Sequence, residues 1–253
     1  MEEKTINNAI EIRDLKKQFA GVHVLKGVSL DLREQENLVV LGKSGTGKSV
    51  LIKCIVRLLD ADSGTIKVLG DDVNALDHRE LSETRKKVGF LFQSGALYDS
   101  MTVRENLEFP LKRIRKELSA KERDQKIKEA LENVGLPDAI DKMPSELSGG
   151  QKKRISLART IIVDPQIMLY DEPTTGLDPI TSDEISQLIN EIQHKFKTAS
   201  IIITHDIECA RTVADRFILL KEGEVYKEGS LQEFENDQDE FVRSFFQTKK
   251  QQN

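Results

Sequence analysis

Gly42-Lys43-Ser44-Gly45-Thr46-Gly47-Lys48-Ser49 fits the spacing G-x-x-x-x-G-K-[ST]. Such a loop brings backbone N–H groups against a phosphate chain, a close approach that only glycine-rich backbone permits. In this pattern Lys48 reaches the β- and γ-phosphates, and the Ser49 hydroxyl ligates Mg²⁺. The flanks suit the task. Glu36 to Leu41 predicts a short buried strand, and Ser49 to Leu58, with Val50 in its first turn, an apolar helix. The start of that helix adds unpaired amides and the positive end of a dipole.

Further chemistry lies downstream. Leu147-Ser148-Gly149-Gly150-Gln151 opens a helix whose Ile155, Ala158 and Ile162 form an inward stripe. Ser148 as N-cap with two glycine amides makes a second anion site, which lacks the lysine of the first. Ile167 to Tyr170 predicts a buried strand ending in Asp171 and Glu172, at the strand end where an open α/β sheet presents ligands. One carboxylate is placed to hold Mg²⁺ through water, and the other to orient or deprotonate an attacking water. His205 follows the strand Thr198–Thr204, a position that points to γ-phosphate contact rather than a structural hydrogen bond.

The elements that must position these residues follow from periodicity. Ala9–Leu15, Val22–Leu32, Glu36–Leu41, Gly64–Leu69 and Val88–Phe92 read as strands around the phosphate loop, and Leu97 to Met143 as helical and charged. Within that stretch Ser119 and Glu122 form a capping box, Ile127, Ala130, Leu131 and Val134 share a face, and Gly135 closes the helix. From Leu147 onward strands and helices alternate, with Ile185, Leu188, Ile189, Ile192 and Phe196 on one face of Pro179–Phe196. This alternation predicts a mostly parallel sheet with crossover helices. Phe241, Val242, Phe245 and Phe246 take helical spacing near the end and predict docking, on the chain's own domain or a partner subunit, before a polar tail from Thr248 to Asn253.

Composition narrows the class. The 253 residues suffice for one large core with a smaller lobe, and a net charge of −5 gives no field favouring nucleic acid or an anionic membrane. Cys54 and Cys209 stand singly, as buried thiols rather than metal ligands or a disulfide. No apolar leader and no run of eighteen apolar residues occurs, so the chain is not expected to span a membrane by itself.

The order of the motifs resembles that of ABC-type ATPase domains: the phosphate loop at 42–49, Gln93, LSGGQ at 147–151, the carboxylate strand at 167–172, Gly-Leu-Asp at 176–178 and His205. The resemblance covers nearly the whole chain and implies one ABC ATPase domain over 1–253. It implies an α/β fold: a RecA-like P-loop ATPase core with an antiparallel β lobe (9–92 and 147–236), an inserted helical subdomain (97–146) and a tail (237–253). It further implies a head-to-tail homodimer in which ATP and Mg²⁺ lie between the phosphate loop of one subunit and Ser148, Gly149, Gly150 and Gln151 of the other. Glu172 is then the catalytic base, and His205 and Gln93 its companions. Asp171, Ser49 and Gln93 are the metal residues, and Asp178 is a contact across the dimer. Phe19 takes the place of the adenine-stacking aromatic, with core packing as the alternative.

Residues 90–111, 143–150 and 171–181, and the segment Asp239 to Phe246, are similar to the ATPase subunit of Mla-type phospholipid transporters. That likeness implies an MlaE-like permease contacted through 94–101, an MCE-domain protein reached indirectly, and a peripheral place on the cytoplasmic face of the inner membrane. Leu97 and Tyr98 would meet the permease, or else pack within the helical subdomain. Two other readings stand beside it. One is the ATPase of a solute importer for an amino acid or other small molecule. The other is a soluble ABC protein on ribosomes or DNA, disfavoured by the single domain and acidic balance.

Overall fold

The computed structural model describes residues 7–246. The N-terminal part forms an antiparallel sheet of β1 (Asn8–Phe19), β2 (Val22–Arg33), β4 (Ser63–Val68) and β5 (Asp71–Asp72), in the order β2-β1-β4-β5. β1 runs on past its expected end at Leu15. Its second half reads as charged, yet it pairs with β2 as far as Phe19 opposite Val22, through several register shifts.

The second sheet carries the chemistry. β3 (Asn37–Leu41), β6 (Val88–Leu91), β7 (Ile167–Asp171), β8 (Ala199–Ile203), β9 (Arg216–Lys221) and β10 (Glu224–Gly229) lie in the order β10-β9-β3-β8-β7-β6. All pairings are parallel except that of β10, which turns back along β9. Every residue of β3, β7 and β8 is buried, as befits strands covered on both faces. Val39 and Leu41 enter one core, while Leu38 and Val40 enter the other. β3 thus joins the antiparallel lobe on one side to the helical layer on the other.

The helices depart from expectation at informative places. α1 (Lys48–Ile55) stops before Leu58, because Arg57 takes a left-handed φ of 51° and its N–H bonds the Cys54 carbonyl. The Arg57 guanidinium donates to the Val73 and Leu76 carbonyls, so a side chain holds a turn that usually falls to glycine. α2 (His78–Lys86) was not legible from periodicity, since only Leu81 and Thr84 are buried on it. Its start is fixed by a capping box between Asp77 and Glu80.

α3 (Val103–Ile114), α4 (Ala120–Asn133) and α5 (Gly149–Ile161) lie between β6 and β7. α4 starts at the Ser119–Glu122 box and buries Ile127, Ala130 and Leu131 as expected. α6 (Pro179–Phe196) and α7 (Ile207–Val213) cross over between the later strands, and α8 (Leu231–Glu235) and α9 (Glu240–Phe246) close the described chain. α9 docks on its own chain: Val242 is fully buried, and the Phe246 ring sits 6.0 Å from Phe217 and 5.7 Å from Phe234. The polar stretch 248–253 lies outside the described residues. Both cysteines are buried and unpaired, and burial pushes each thiol up to about 11.

Candidate active site

The phosphate loop turns from β3 into α1 through Gly47, which holds the helix N-cap at a φ of 95° with no side chain closing the first amides. Those donors stay available to an anion. A Cβ on Gly47 would stand 2.7 Å from Leu25 Cδ2 and 2.9 Å from the Val24 carbonyl, so space as well as torsion demands glycine. Lys48 is buried, and its ammonium donates to the carbonyls of Gly42 at 2.7 Å and Lys43 at 3.0 Å. Burial lowers its pKa, while the fields of Glu172 and Asp171 oppose that shift. The Thr46 hydroxyl ties the loop to itself through the Lys43 carbonyl at 2.9 Å.

The end of β7 faces this loop. The Ser49 hydroxyl donates to Asp171 Oδ1 at 2.9 Å. One residue on, Glu172 takes a left-handed φ of 51°. Its N–H still bonds the Ile203 carbonyl of β8 at 2.8 Å, so the neighbouring strand holds the unusual torsion. Glu172 Oε2 meets His205 Nδ1 at 2.7 Å, the His205 N–H at 3.3 Å and the Thr175 hydroxyl at 3.2 Å. A cleft of about 760 Å³ gathers these groups, lined by the loop from Gly42 to Val50 except Thr46, by Gln93, Glu172 and His205, and by Val24 and Phe245.

The comparisons with known proteins fit this geometry. The ABC transporter family model matches residues 25–175. The chain belongs to the ABC transporter family. It is 42% identical over 84% of its length to a probable ribonucleotide transport ATP-binding protein of Mycobacterium leprae, covering 61% of that protein. It is 38% identical over 93% of its length to the methionine import ATP-binding protein MetN of Rhizobium etli, covering 65% of it. The chain therefore spans less than two thirds of these relatives. Among solved structures, the ATP-binding cassette MJ0796, a dimer bound to ADP and Pi in a post-hydrolysis state, superposes with a TM-score of 0.80 at 34% identity. That match covers 88% of this chain and 98% of the other.

Within this ABC cassette the expected site residues fall into two sets. Gly42 to Ser49, Val50, Gln93, Asp171, Glu172 and His205 come together around or directly behind the cleft. Ser148, Gly149, Gly150, Gln151 and Asp178 lie outside its lining. Ser148 and Gln151 close a capping box on α5, with Ser148 N–H to Gln151 Oε1 at 3.0 Å and Gln151 N–H to Ser148 Oγ at 3.3 Å. Asp178 caps α6 through Thr181, and those bonds hold its carboxyl below the usual range.

Phe19 is not among the residues lining the cleft. It ends β1 at 42% exposure, with Lys17 Nζ 5.3 Å from its ring centre, so core packing does not describe it. Val24, on β2, is a β-lobe residue that lines the cleft. Phe245 also escaped the motif reading, because α9 returns from the far end of the chain to bring it there. So did Lys153, which reaches the Gln93 carbonyl at 2.5 Å.

Proposed function

We propose that this chain binds and hydrolyses ATP as the energising subunit of a membrane transporter. The observation that carries the reading is the pairing in one cleft of Ser49 with Asp171 and of Glu172 with His205, beside a helix start whose first amides no side chain caps. Loop amides and the Lys48 ammonium, released from its own loop carbonyls, would hold the phosphates. Three donors converge on Glu172 Oε2, and no described residue bonds Oε1, which leaves that oxygen to take a proton from an attacking water. His205 orients the carboxylate and reaches toward the terminal phosphate.

The hydroxyl of Ser49, the carboxylate of Asp171 and the Gln93 amide oxygen form an all-oxygen set that suits Mg²⁺, which relies on few protein ligands and on substrate phosphates. When bound, the ion would neutralise charge developing on the phosphates.

A cleft without the LSGGQ residues supports a head-to-tail homodimer, in which Ser148 to Gln151 and Asp178 of each subunit complete the other's site. No helix among the described residues is long and apolar enough to cross a membrane. From the likeness to ATP-binding proteins of transport systems we infer a separate permease and a peripheral place on the inner membrane's cytoplasmic face. Tyr98 is the residue to meet it: 40% exposed, edge-on to Phe109 at 5.1 Å, under the Arg159 guanidinium at 4.6 Å. Leu97 is partly buried against the helical core and backs it.

For cargo we favour phospholipid, moved with an MlaE-like permease and an MCE-domain protein, on the likeness of residues 90–111 and 239–246 to Mla-type subunits. Import of a small solute is the second reading, favoured by the methionine importers among the relatives. The test is to co-purify the chain with its permease and reconstitute the complex. ATP-dependent transfer of labelled phospholipid, lost in Glu172→Gln, supports the first reading. ATP-dependent uptake of methionine without lipid transfer replaces it with the second. A complex with no ATPase activity overturns both.

A further inference from the structure

Helix α5 does more than carry LSGGQ at its start. Lys153, Ser156 and Arg159 recur every three residues and share one broad face of the helix. That face grips the segment 93–98. Lys153 Nζ donates to the Gln93 carbonyl at 2.5 Å, and Arg159 Nη1 donates to the Ala96 carbonyl at 2.5 Å. Between them Ser156 lies so close that a Cβ on Gly95 would stand 2.7 Å from its hydroxyl oxygen. Ala96 itself holds a left-handed φ of 51°, a torsion that persists only where its surroundings impose it.

Lys153 is the unusual member. It is 7% exposed, whereas lysine is almost never buried without a charged partner. No ion pair is described for it, and its ammonium is satisfied by a main-chain carbonyl within the field of Asp171 and Glu172. A buried ammonium is a poor way to fill space, since its desolvation opposes folding. Its length and its donors suit a different task, which is to reach across from a helix and fix a loop.

We propose that Lys153 is a positioning residue for Gln93: by holding the Gln93 carbonyl it sets the backbone from which that side chain enters the cleft opposite Glu172. Arg159 secures the far end of the same segment at Ala96 and Tyr98. The inference rests on the reading above that Gln93 acts on the metal or the attacking water.

The test measures ATPase kinetics, Mg·ATP affinity and melting temperature on the full chain in its permease complex. Lys153→Met should lower kcat on the order of 10–100-fold, the range expected for a misplaced catalytic group, with Mg·ATP affinity nearly unchanged. Lys153→Arg, which keeps a long donor, should recover most of the loss. Added to Gln93→Ala, Lys153→Met should cost nothing further, because both changes disable the same group. Lys153→Gln replaces the methionine variant if the latter does not melt cooperatively, and the same comparison then decides. An undiminished kcat in the Lys153 variants, beside an impaired Gln93→Ala, overturns this inference alone. Losses that multiply in the double variant also overturn it, placing Lys153 with the carboxylates instead. A Gln93→Ala chain with full kcat overturns the underlying reading of Gln93 and this inference with it.

Discussion

Helices α1 and α5 both begin at glycine-rich turns, yet their first amides are treated in opposite ways. At α1 the N-cap is a glycine in the left-handed region, no side chain closes the amides, and a buried lysine lies folded over the loop. At α5 the N-cap is Ser148 in extended conformation, and Ser148 and Gln151 satisfy each other's N–H groups. The first helix start opens into the cleft, while the second lies outside it and exposes Ser148 and Gly149. A turn that is capped by its own chain is ordered before any ligand arrives, and at the surface it is accessible to another molecule. An uncapped turn inside a cleft is completed only by the ligand. One chain thus carries a holding half and a presenting half, and neither does the other's work.

The sharpest way to break this contrast is to disable the chemistry on the holding side alone. Glu172→Gln should bind ATP as before but turn over about 10²–10⁴-fold more slowly, the usual contribution of a positioned base. Phosphate release measured beside nucleotide binding checks it, and an unaltered rate would remove Glu172 from the mechanism. Gly47→Ala should reduce Mg·ATP affinity by roughly 10–100-fold, since its torsion strain of about 1–3 kcal/mol is joined by collision with Val24 and Leu25. Gly149→Ala is the matched control. Its Cβ would meet only Leu177 Cδ2, at an ordinary 3.7 Å, so within its own chain it should cost nothing and the melting temperature, by calorimetry, should match wild type.

Division of labour between subunits predicts complementation. Lys48→Ala and Ser148→Arg chains, each inactive alone, should recover part of the ATPase when mixed within permease complexes, because one composite site then holds neither defect. No recovery while both chains assemble would argue that each cleft is completed by its own chain. The smallest effect is on stability. Ser148→Ala removes the α5 cap and should cost about 0.5–2 kcal/mol, a fall of a few degrees in melting temperature. α1 has no such side chain to lose.

Buried runs such as NLVVL and IMLYD, and motifs whose glycines have a stated purpose, made the central sheet and the holding half legible in the sequence. α2 hid because its helical signal is a polar capping box rather than an apolar stripe. The second half of β1 hid because its side chains are mostly exposed and its strand identity comes from pairing with β2. Val24 carries no motif and comes to the cleft wall only through the β1–β2 hairpin. Lys153 follows a glycine-rich turn in a run of basic residues and reads as solvent-facing. In the fold it is 7% exposed and reaches the Gln93 carbonyl in the loop after β6. Phe245 came within reach of the phosphate loop by a return of the chain that no local pattern encodes.

The strand order has a consequence in time. β3, which ends in the phosphate loop, pairs with neither of its sequence neighbours in the central sheet. Asn37 finds Ser200 and Leu38 finds Arg216. During synthesis at about 5–20 residues per second, the strand waits on the order of ten seconds for its first partner to leave the ribosome. Throughout that interval both its edges are without their final partners. The loop that grips phosphate is thus made early and assembled late, so nucleotide can steady only a chain that is almost finished. A truncated product ending before Ala199 would keep the whole phosphate loop and both carboxylates, and still present a sheet edge to other chains instead of a binding site.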